Sequence, residues 1–341
     1  MSTKKVISIL MAVLILISLT GCGVIDTVKG MIVKDEEEPE VEMVRSDENI
    51  FEIQNDDSMR DTVLYYKTEA GYIVPVKRQI PWEEGIGKAA LRNITDSPAI
   101  RDDIKDIGLN PIIPSGTEVI GMAIDQDTGL CKVNFSREVL NYNDEQDEYS
   151  LVKGIVYTLT EFPSISKVRL MVDGEYLDAM KFGTDIRNPL EREDINMVNE
   201  EMDGNSKVVV YYKGTTNGEY EYYVPLTIPT STQDDTGYSA LNKLFDGPPS
   251  DSSLYTDIPS EVSFRGLDIR DGVAYINLTE DSLSYIKDQY VVDSMTRNIA
   301  LTLKEISPID SVKIMINGVS LEETGIEVSE PTTVPVFANE Y

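Results

Sequence analysis

Twice along this chain, apolar residues alternate with polar ones and then recur at spacings of three and four. Alternation puts every second side chain on one face of a strand, whereas three-four spacing draws a stripe down a helix. Val63-Leu64-Tyr65-Tyr66 and Val208-Val209-Val210-Tyr211-Tyr212 are dense in β-formers and predict strands. After a turn, residues 72–80 and 220–228 predict second strands. Pro75 and Pro225 place these at an edge, because proline cannot donate to a central ladder. Helices are predicted over about 82–93 and 236–245, stopped by Asp96-Ser97-Pro98 and Asp246-Gly247-Pro248-Pro249.

A strand pair comes next in each half. Asp127-Thr128-Gly129 turns the first pair and Asp271-Gly272 the second. Cys131, Val133 and Phe135 alternate with Lys132, Asn134 and Ser136, as Ala274, Ile276 and Leu278 do with Tyr275, Asn277 and Thr279. One face of each strand is therefore buried, and Cys131, standing where the other half has Ala274, reads as a small core residue. Leu151, Val152, Ile155, Val156, Leu159 and Phe162 form a helical stripe, matched by Met295, Ile299, Ala300, Leu303 and Ile306, with Asp293 or Ser294 as candidate cap. Val168, Leu170, Val172 and Val312, Ile314, Ile316 alternate as last strands and run into Asp173-Gly174 and Asn317-Gly318 turns.

The matches keep their order at an interval of roughly 145 residues, too long a period for a solenoid, so two tandem domains are expected. Each is α+β, with two helices packed on a small mixed or antiparallel sheet. The divisions expected are a signal at 1–21, a tether at 22–60, domain 1 at 61–183, a linker at 184–205, domain 2 at 206–327 and a tail at 328–341.

The first two dozen residues have a different pattern. Lys4 and Lys5 precede an apolar run from Val6 to Leu19, shorter than the roughly 20 residues a spanning helix needs. This fits an export signal. Leu19-Thr20-Gly21-Cys22 resembles the lipobox of bacterial lipoproteins, in which small residues admit the peptidase and the thiol of Cys22 takes the lipid. Two acyl chains would anchor the processed chain to the outer face of the membrane. The tether beyond it carries Asp35-Glu36-Glu37-Glu38-Pro39-Glu40-Val41-Glu42, an acidic stretch that extends itself by repulsion.

Composition narrows the chemistry. The formal net charge is -30, which repels phosphate backbones and makes nucleic acid a very poor partner. The chain has no histidine, so Ser-His-Asp and Cys-His nucleophile systems and His-ligated metals are excluded. It has two cysteines, and with Cys22 acylated Cys131 has no intramolecular thiol to pair with. Asp125-Gln126-Asp127-Thr128-Gly129 lacks the closing glutamate of a calcium loop and reads as a hairpin turn. Gly85-Ile86-Gly87 lacks the third glycine of a phosphate-binding loop. Tyr65, Tyr66, Tyr211, Tyr212, Tyr220, Tyr222 and Tyr223 could face a sugar or peptide, but paired strand tyrosines are more often half-buried sheet residues. No catalytic residue, cofactor or metal site is assigned, and an enzyme is not expected.

Taken in order, Tyr-Tyr-Lys, Val-Pro, Ala-Leu with Asp-Gly-Pro-Pro, Ile-Pro-Ser, Gly-Val-Ala-Tyr-Ile-Asn-Leu-Thr, Thr-Leu-Lys-Glu-Ile and Val-Lys-Ile-Met-Ile-Asn-Gly resemble the GerMN domain. The resemblance covers roughly 60–182 and 206–327, and Asp96-Ser97-Pro98 departs mildly from its Asp-Gly-Pro. A lipoprotein signal ahead of two such copies is the layout of GerM-like sporulation and germination lipoproteins. The resemblance implies domains similar to the ring-building modules of secretion systems. It also implies a non-catalytic role in endospore formation, in the space between mother cell and forespore. There such a protein would help place or complete a transenvelope channel, with envelope proteins as partners and oligomers among the expectations. The competing expectation is a ligand-binding lipoprotein that senses cell-wall fragments or assists a sensor kinase.

Overall fold

A computed structural model describes residues 59–81, 85–198, 206–216, 218–230, 236–329 and 331–341. The chain opens with β1 (Met59–Lys67) and β2 (Ile73–Pro81), an antiparallel hairpin in which Tyr65 stands opposite Pro75. Met59 and Arg60, placed in the tether by sequence, are already strand. Next come α1 (Ile86–Asn93) and α2 (Pro98–Ile104). A second sheet is built from β3 (Val119–Asp125), β4 (Leu130–Phe135), α3 (Glu145–Leu159) and β5 (Lys167–Val172), with β3 antiparallel and β5 parallel to β4. The α3 crossover is what a parallel return requires.

The second repeat has the same plan. Its hairpin is β6 (Ser206–Thr215) and β7 (Glu221–Thr230), then α4 (Thr236–Asp246), β8 (Phe264–Arg270), β9 (Val273–Leu278), α5 (Gln289–Lys304) and β10 (Ser311–Ile316). Again β8 is antiparallel and β10 parallel to β9. The short β11 (Val319–Ser320) and β12 (Thr332–Thr333) add to β10. The registers of β3 and β8 slip at Val119/Gly121 and Phe264/Gly266, so even the bulge is repeated. Each repeat is therefore α+β, with a mixed sheet and a separate hairpin.

Side-chain chemistry common to both copies explains why these segments hold their shape. Tyr65 Oη donates to Glu161 Oε1 at 2.7 Å, and Tyr211 Oη to Glu305 Oε1 at 2.9 Å. Thr158 and Thr302 hydroxyls accept the amides of the same two tyrosines. These tyrosines are core residues, 5% and 7% exposed, as are Tyr66, Tyr212, Tyr222 and Tyr223. After β5 and β10, Asp173 and Asn317 adopt φ of 50° and 53° ahead of Gly174 and Gly318, and the glycine amides donate to Asn134 and Asn277. Short polar side chains and glycine tolerate that left-handed backbone best. Cys131 and Ala274 are both fully buried on the same strand face.

Three sequence expectations change. The cap of α5 is Asp288, whose Oδ1 accepts the Val291 amide at 3.1 Å, just as Asp144 Oδ1 accepts Asp147 N at 2.8 Å in α3. Asp293 and Ser294 lie a turn further in, where backbone donors already have helical partners. The first helix begins at Ile86 behind Gly85; residues 82–84 of the expected span lie outside the described residues. Finally, Asp96-Ser97-Pro98 does not stop that helix, which ends at Asn93, but opens another. Ser97 Oγ accepts the Ile100 amide and Pro98 takes the first helical position. The departure from Asp-Gly-Pro thus encodes α2, a helix the second repeat does without.

Candidate functional site

Cys22 and its lipobox residues Leu19, Thr20 and Gly21 lie outside the described residues. Among those described, no helix is long and apolar enough to cross a membrane, and no group of three or more acidic or thiol side chains is arranged to hold a metal. Asp125 Oδ1 accepts the amides of Asp127 and Thr128, so its oxygen closes the turn. Gly85 has φ 85° and heads α1, and Gly87 packs against Met122 and Leu159. Burial pushes the Cys131 thiol up to about 12, which leaves it unionised and inert at neutral pH. None of these sequence candidates meets another at a reactive centre.

What the structure brings together is the two repeats. Strands β2 and β7 run alongside each other, and two buried asparagines lie between them. Asn196 Oδ1 accepts Ile73 N at 2.8 Å, and its Nδ2 donates to Ile73 O and Pro225 O, both at 2.8 Å. Asn339 Oδ1 accepts Tyr223 N at 2.7 Å, and its Nδ2 donates to Tyr223 O at 2.9 Å and Pro75 O at 2.7 Å. Pro75 and Pro225 hold the same position in their hairpins, as do Ile73 and Tyr223. The two asparagines are thus mirror halves of one joint.

The backbone completes the exchange. Residues after the first repeat pair with the second: Thr227 N donates to Ile195 O and Val198 N to Thr227 O. Residues after the second repeat pair with the first: Lys77 N donates to Asn339 O and Tyr341 N to Lys77 O. The prolines explain why side chains are needed. Each removes one N–H from the hairpin's outer edge, so no regular strand ladder can form there. An asparagine, with one acceptor and two donors, supplies what the interrupted edge lacks. Buried residues of both repeats belong to one continuous hydrophobic cluster, so the two share a core as well as this joint.

The repeats differ most beside that joint. In the first, Tyr149 from α3 plugs the space between helix and hairpin. Its Oη donates to Asp194 O and accepts Asn196 N, and it packs with Tyr157 against the buried cluster of Tyr65, Ile73 and Ile195. Counted from the helix caps, Tyr149 corresponds to Asp293, Lys153 to Arg297 and Gln146 to Tyr290. Counted from the asparagines, Ile195 corresponds to Ala338. There the second repeat is open. A cavity of about 360 Å³ is lined by Lys213, Tyr223, Asp257, Tyr290, Asp293 and Arg297 among others, and an adjoining one of about 390 Å³ shares Lys213, Tyr223 and Arg297. Lys213 Nζ lies 2.7 Å from Glu221 and 2.9 Å from Asp257. Burial disfavours its charge, but those carboxylates outweigh burial and hold the ammonium well above its ordinary pKa. Arg297 sits 5.3 Å over the Tyr223 ring, donates to Ala338 O, and has no carboxylate in ion-pair reach among the described residues.

A second difference lies one residue away. Glu148 is fully buried and accepts from Tyr142 Oη at 2.6 Å, Phe182 N at 2.5 Å and Thr184 N at 2.8 Å, which latches the loop after β5. Burial alone would raise its pKa, yet hydrogen bonds from Thr184, Tyr142 and Phe182 outweigh burial and hold it below the ordinary carboxylate value. Its counterpart is Val292, also fully buried.

Sequence reasoning missed Asn196, Asn339, Arg297 and Glu148, and read Asp293 as a helix cap. The signal in the chain for them is a comparison of the copies: asparagines at matching places after each repeat, and the exchanges Tyr149 for Asp293 and Glu148 for Val292 along the matching helices, while Arg297 matches the cation Lys153 and gives none.

Comparison with known proteins places both repeats. A family model described as Germane, sporulation and spore germination, matches residues 63–178 and 209–322. The spore germination protein GerM of Bacillus subtilis (strain 168) is 32% identical over 289 residues, which span 81% of this chain and 77% of that protein. The solved tandem GerMN domains of the Bacillus subtilis sporulation protein GerM superpose with a TM-score of 0.70 at 30% identity, over 83% of this chain and 99% of that one.

Proposed function

The chain belongs to the Germane family of sporulation and spore germination proteins, with two copies of the domain in tandem, and on that premise we propose that it is a lipid-anchored assembly scaffold rather than an enzyme. Cys22 carries the lipid and holds the protein at the outer face of the cytoplasmic membrane, in the space between mother cell and forespore. The acidic stretch at 35–42, which lies outside the described residues, spaces the paired domains from the anchor. The paired domains then present their surfaces to envelope proteins that build a transenvelope channel.

The observation that carries this reading is the reciprocal joint. A flexible string of two domains would offer partners two independent weak sites. Two domains locked edge to edge offer one fixed arrangement, which is what positioning other proteins requires. The chain has no histidine, so imidazole-based acid–base chemistry is not open to it. In vivo crosslinking of the lipidated protein during sporulation is expected to capture envelope proteins, and Cys22→Ala is expected to release the chain from membranes and abolish that capture. Capture of none, or full capture by the unanchored variant, would contradict the proposal.

A further inference from the structure

The cleft of the second repeat has no structural need to exist, because the first repeat shows the same scaffold closed. Tyr149 and Ile195 fill in repeat 1 what Asp293 and Ala338 leave open in repeat 2. A position that needs only packing favours the apolar plug, since covering Tyr and Ile surface stabilises, whereas the exposed Asp293, which accepts from Gln289 Nε2 at 2.7 Å, adds no such packing. Repeat 2 instead has acidic, basic and aromatic groups converging on one concavity, the arrangement that marks a small-ligand site.

The lining also selects the ligand. Lys213 and Arg297 form the floor shared by both cavities, against Glu221, Asp257, Asp293 and Glu340 around them. Lys213 is already shared between Glu221 and Asp257, which leaves Arg297 beside Asp293 and Glu340, so the cleft offers donors and acceptors of both signs rather than a field of one. A neutral ligand that both donates and accepts hydrogen bonds can use both sets, as hydroxyls do. Aromatic surface completes the match. Tyr290 stands at the rim, 75% exposed, with its ring open to pack against a ligand. Tyr220 lines the adjoining cavity, its ring tilted against that of Tyr222 with centroids 6.4 Å apart. Two contiguous cavities with aromatic faces fit a ligand of more than one ring.

We infer that the cleft between β6, β7, α5 and the C-terminal segment of the second repeat binds a neutral oligosaccharide. Asp257 and Asp293 accept from its hydroxyls, Arg297 donates to them, and Tyr290 covers a sugar ring. This site is separate from the scaffold role, since it lies in one repeat only and needs no partner protein.

The test is calorimetric titration of the full chain, purified in detergent, with chitotetraose as a neutral probe and with a polygalacturonate fragment of equal length as its acidic control. Saturable binding of chitotetraose with a Kd of about 0.1–1 mM is expected, with the acidic control weaker by tenfold or more. Tyr290→Ala, at an exposed position that folding does not use, is expected to weaken binding about tenfold. Asp293→Tyr with Ala338→Ile, which installs the repeat 1 plug, is expected to abolish it while the thermal midpoint is kept or rises by a few degrees. No binding of chitotetraose at 10 mM (an order-of-magnitude ceiling well above that Kd), equal or tighter binding of the acidic probe, or unchanged affinity in the plugged variant would each overturn the inference. Because purified protein is used, such a failure leaves the crosslinking result untouched, and the reverse also holds.

Discussion

The two repeats fold the same way, yet the first is finished for packing and the second is left open beside the same joint. Tyr149, Tyr157 and Ile195 seal the first against its hairpin, whereas Asp293, Leu301 and Ala338 stand at the matching places in the second. Glu148 latches a loop in the first, and Val292 fills that place in the second. The shared features, by contrast, are those that define the fold: the Tyr–Glu pairs, the Asp helix caps, the bulges and the left-handed turn residues. Comparing copies inside one chain therefore separates what the scaffold requires from what each copy does with it.

The comparison can be broken first at the joint. Asn196→Ala and Asn339→Ala each leave three buried backbone groups of the hairpin edges unsatisfied, and each is expected to cost about 3 kcal/mol in denaturant unfolding. Similar losses would support the mirror relation; a large loss for only one asparagine would break it. Next comes the latch. Glu148→Val, which copies repeat 2, strips two loop amides and the Tyr142 hydroxyl of their acceptor and is expected to cost about 2 kcal/mol at neutral pH. The pH dependence has a definite sign. Because the folded pKa of Glu148 is depressed, its contribution is complete above the unfolded value of about 4.3 and is lost as pH falls through the folded one. Stability measured from pH 7 down to 3 should fall less steeply in the variant than in the parent.

A smaller effect sharpens the contrast between closed and open. Asp293→Tyr with Ala338→Ile is expected to stabilise by about 1 kcal/mol, because it adds buried apolar surface where the scaffold already accommodates it once. The smallest effect concerns Cys131. Cys131→Ala installs the residue found at Ala274 and should cost about 1 kcal/mol or less. With its thiol pKa pushed up to about 12, the native protein should resist alkylation at pH 8 until it is unfolded.

The fold is largely legible in sequence because its signals are local. Period-two strands, the α3 and α5 stripes and the Asp-Gly and Asn-Gly turns each depend on a few neighbouring residues. Ser97-Pro98 is ambiguous because the same residues that stop one helix can start another, and the outcome depends on the residues C-terminal to them. The cap of α5 lies a turn earlier than the sequence suggests because Asp288 and Asp293 look alike there, and only backbone geometry distinguishes a free amide from a bonded one. The joint is invisible for a stronger reason. Asn196 bonds Ile73 across 123 residues, and Asn339 bonds Pro75 across 264. No periodicity encodes a contact at that separation. The two tails read as a polar linker and a terminal extension because their order comes from the opposite repeat's edge.

The central claim is that reciprocal exchange of these tails makes the tandem repeats one cooperative body. Differential scanning calorimetry of the intact chain beside the Asn196→Ala, Asn339→Ala double variant tests it most directly. The account predicts a single transition in the parent, with calorimetric and van't Hoff enthalpies in agreement, and two resolved transitions in the variant. Two transitions in the parent, or one unchanged transition in the variant, would contradict it.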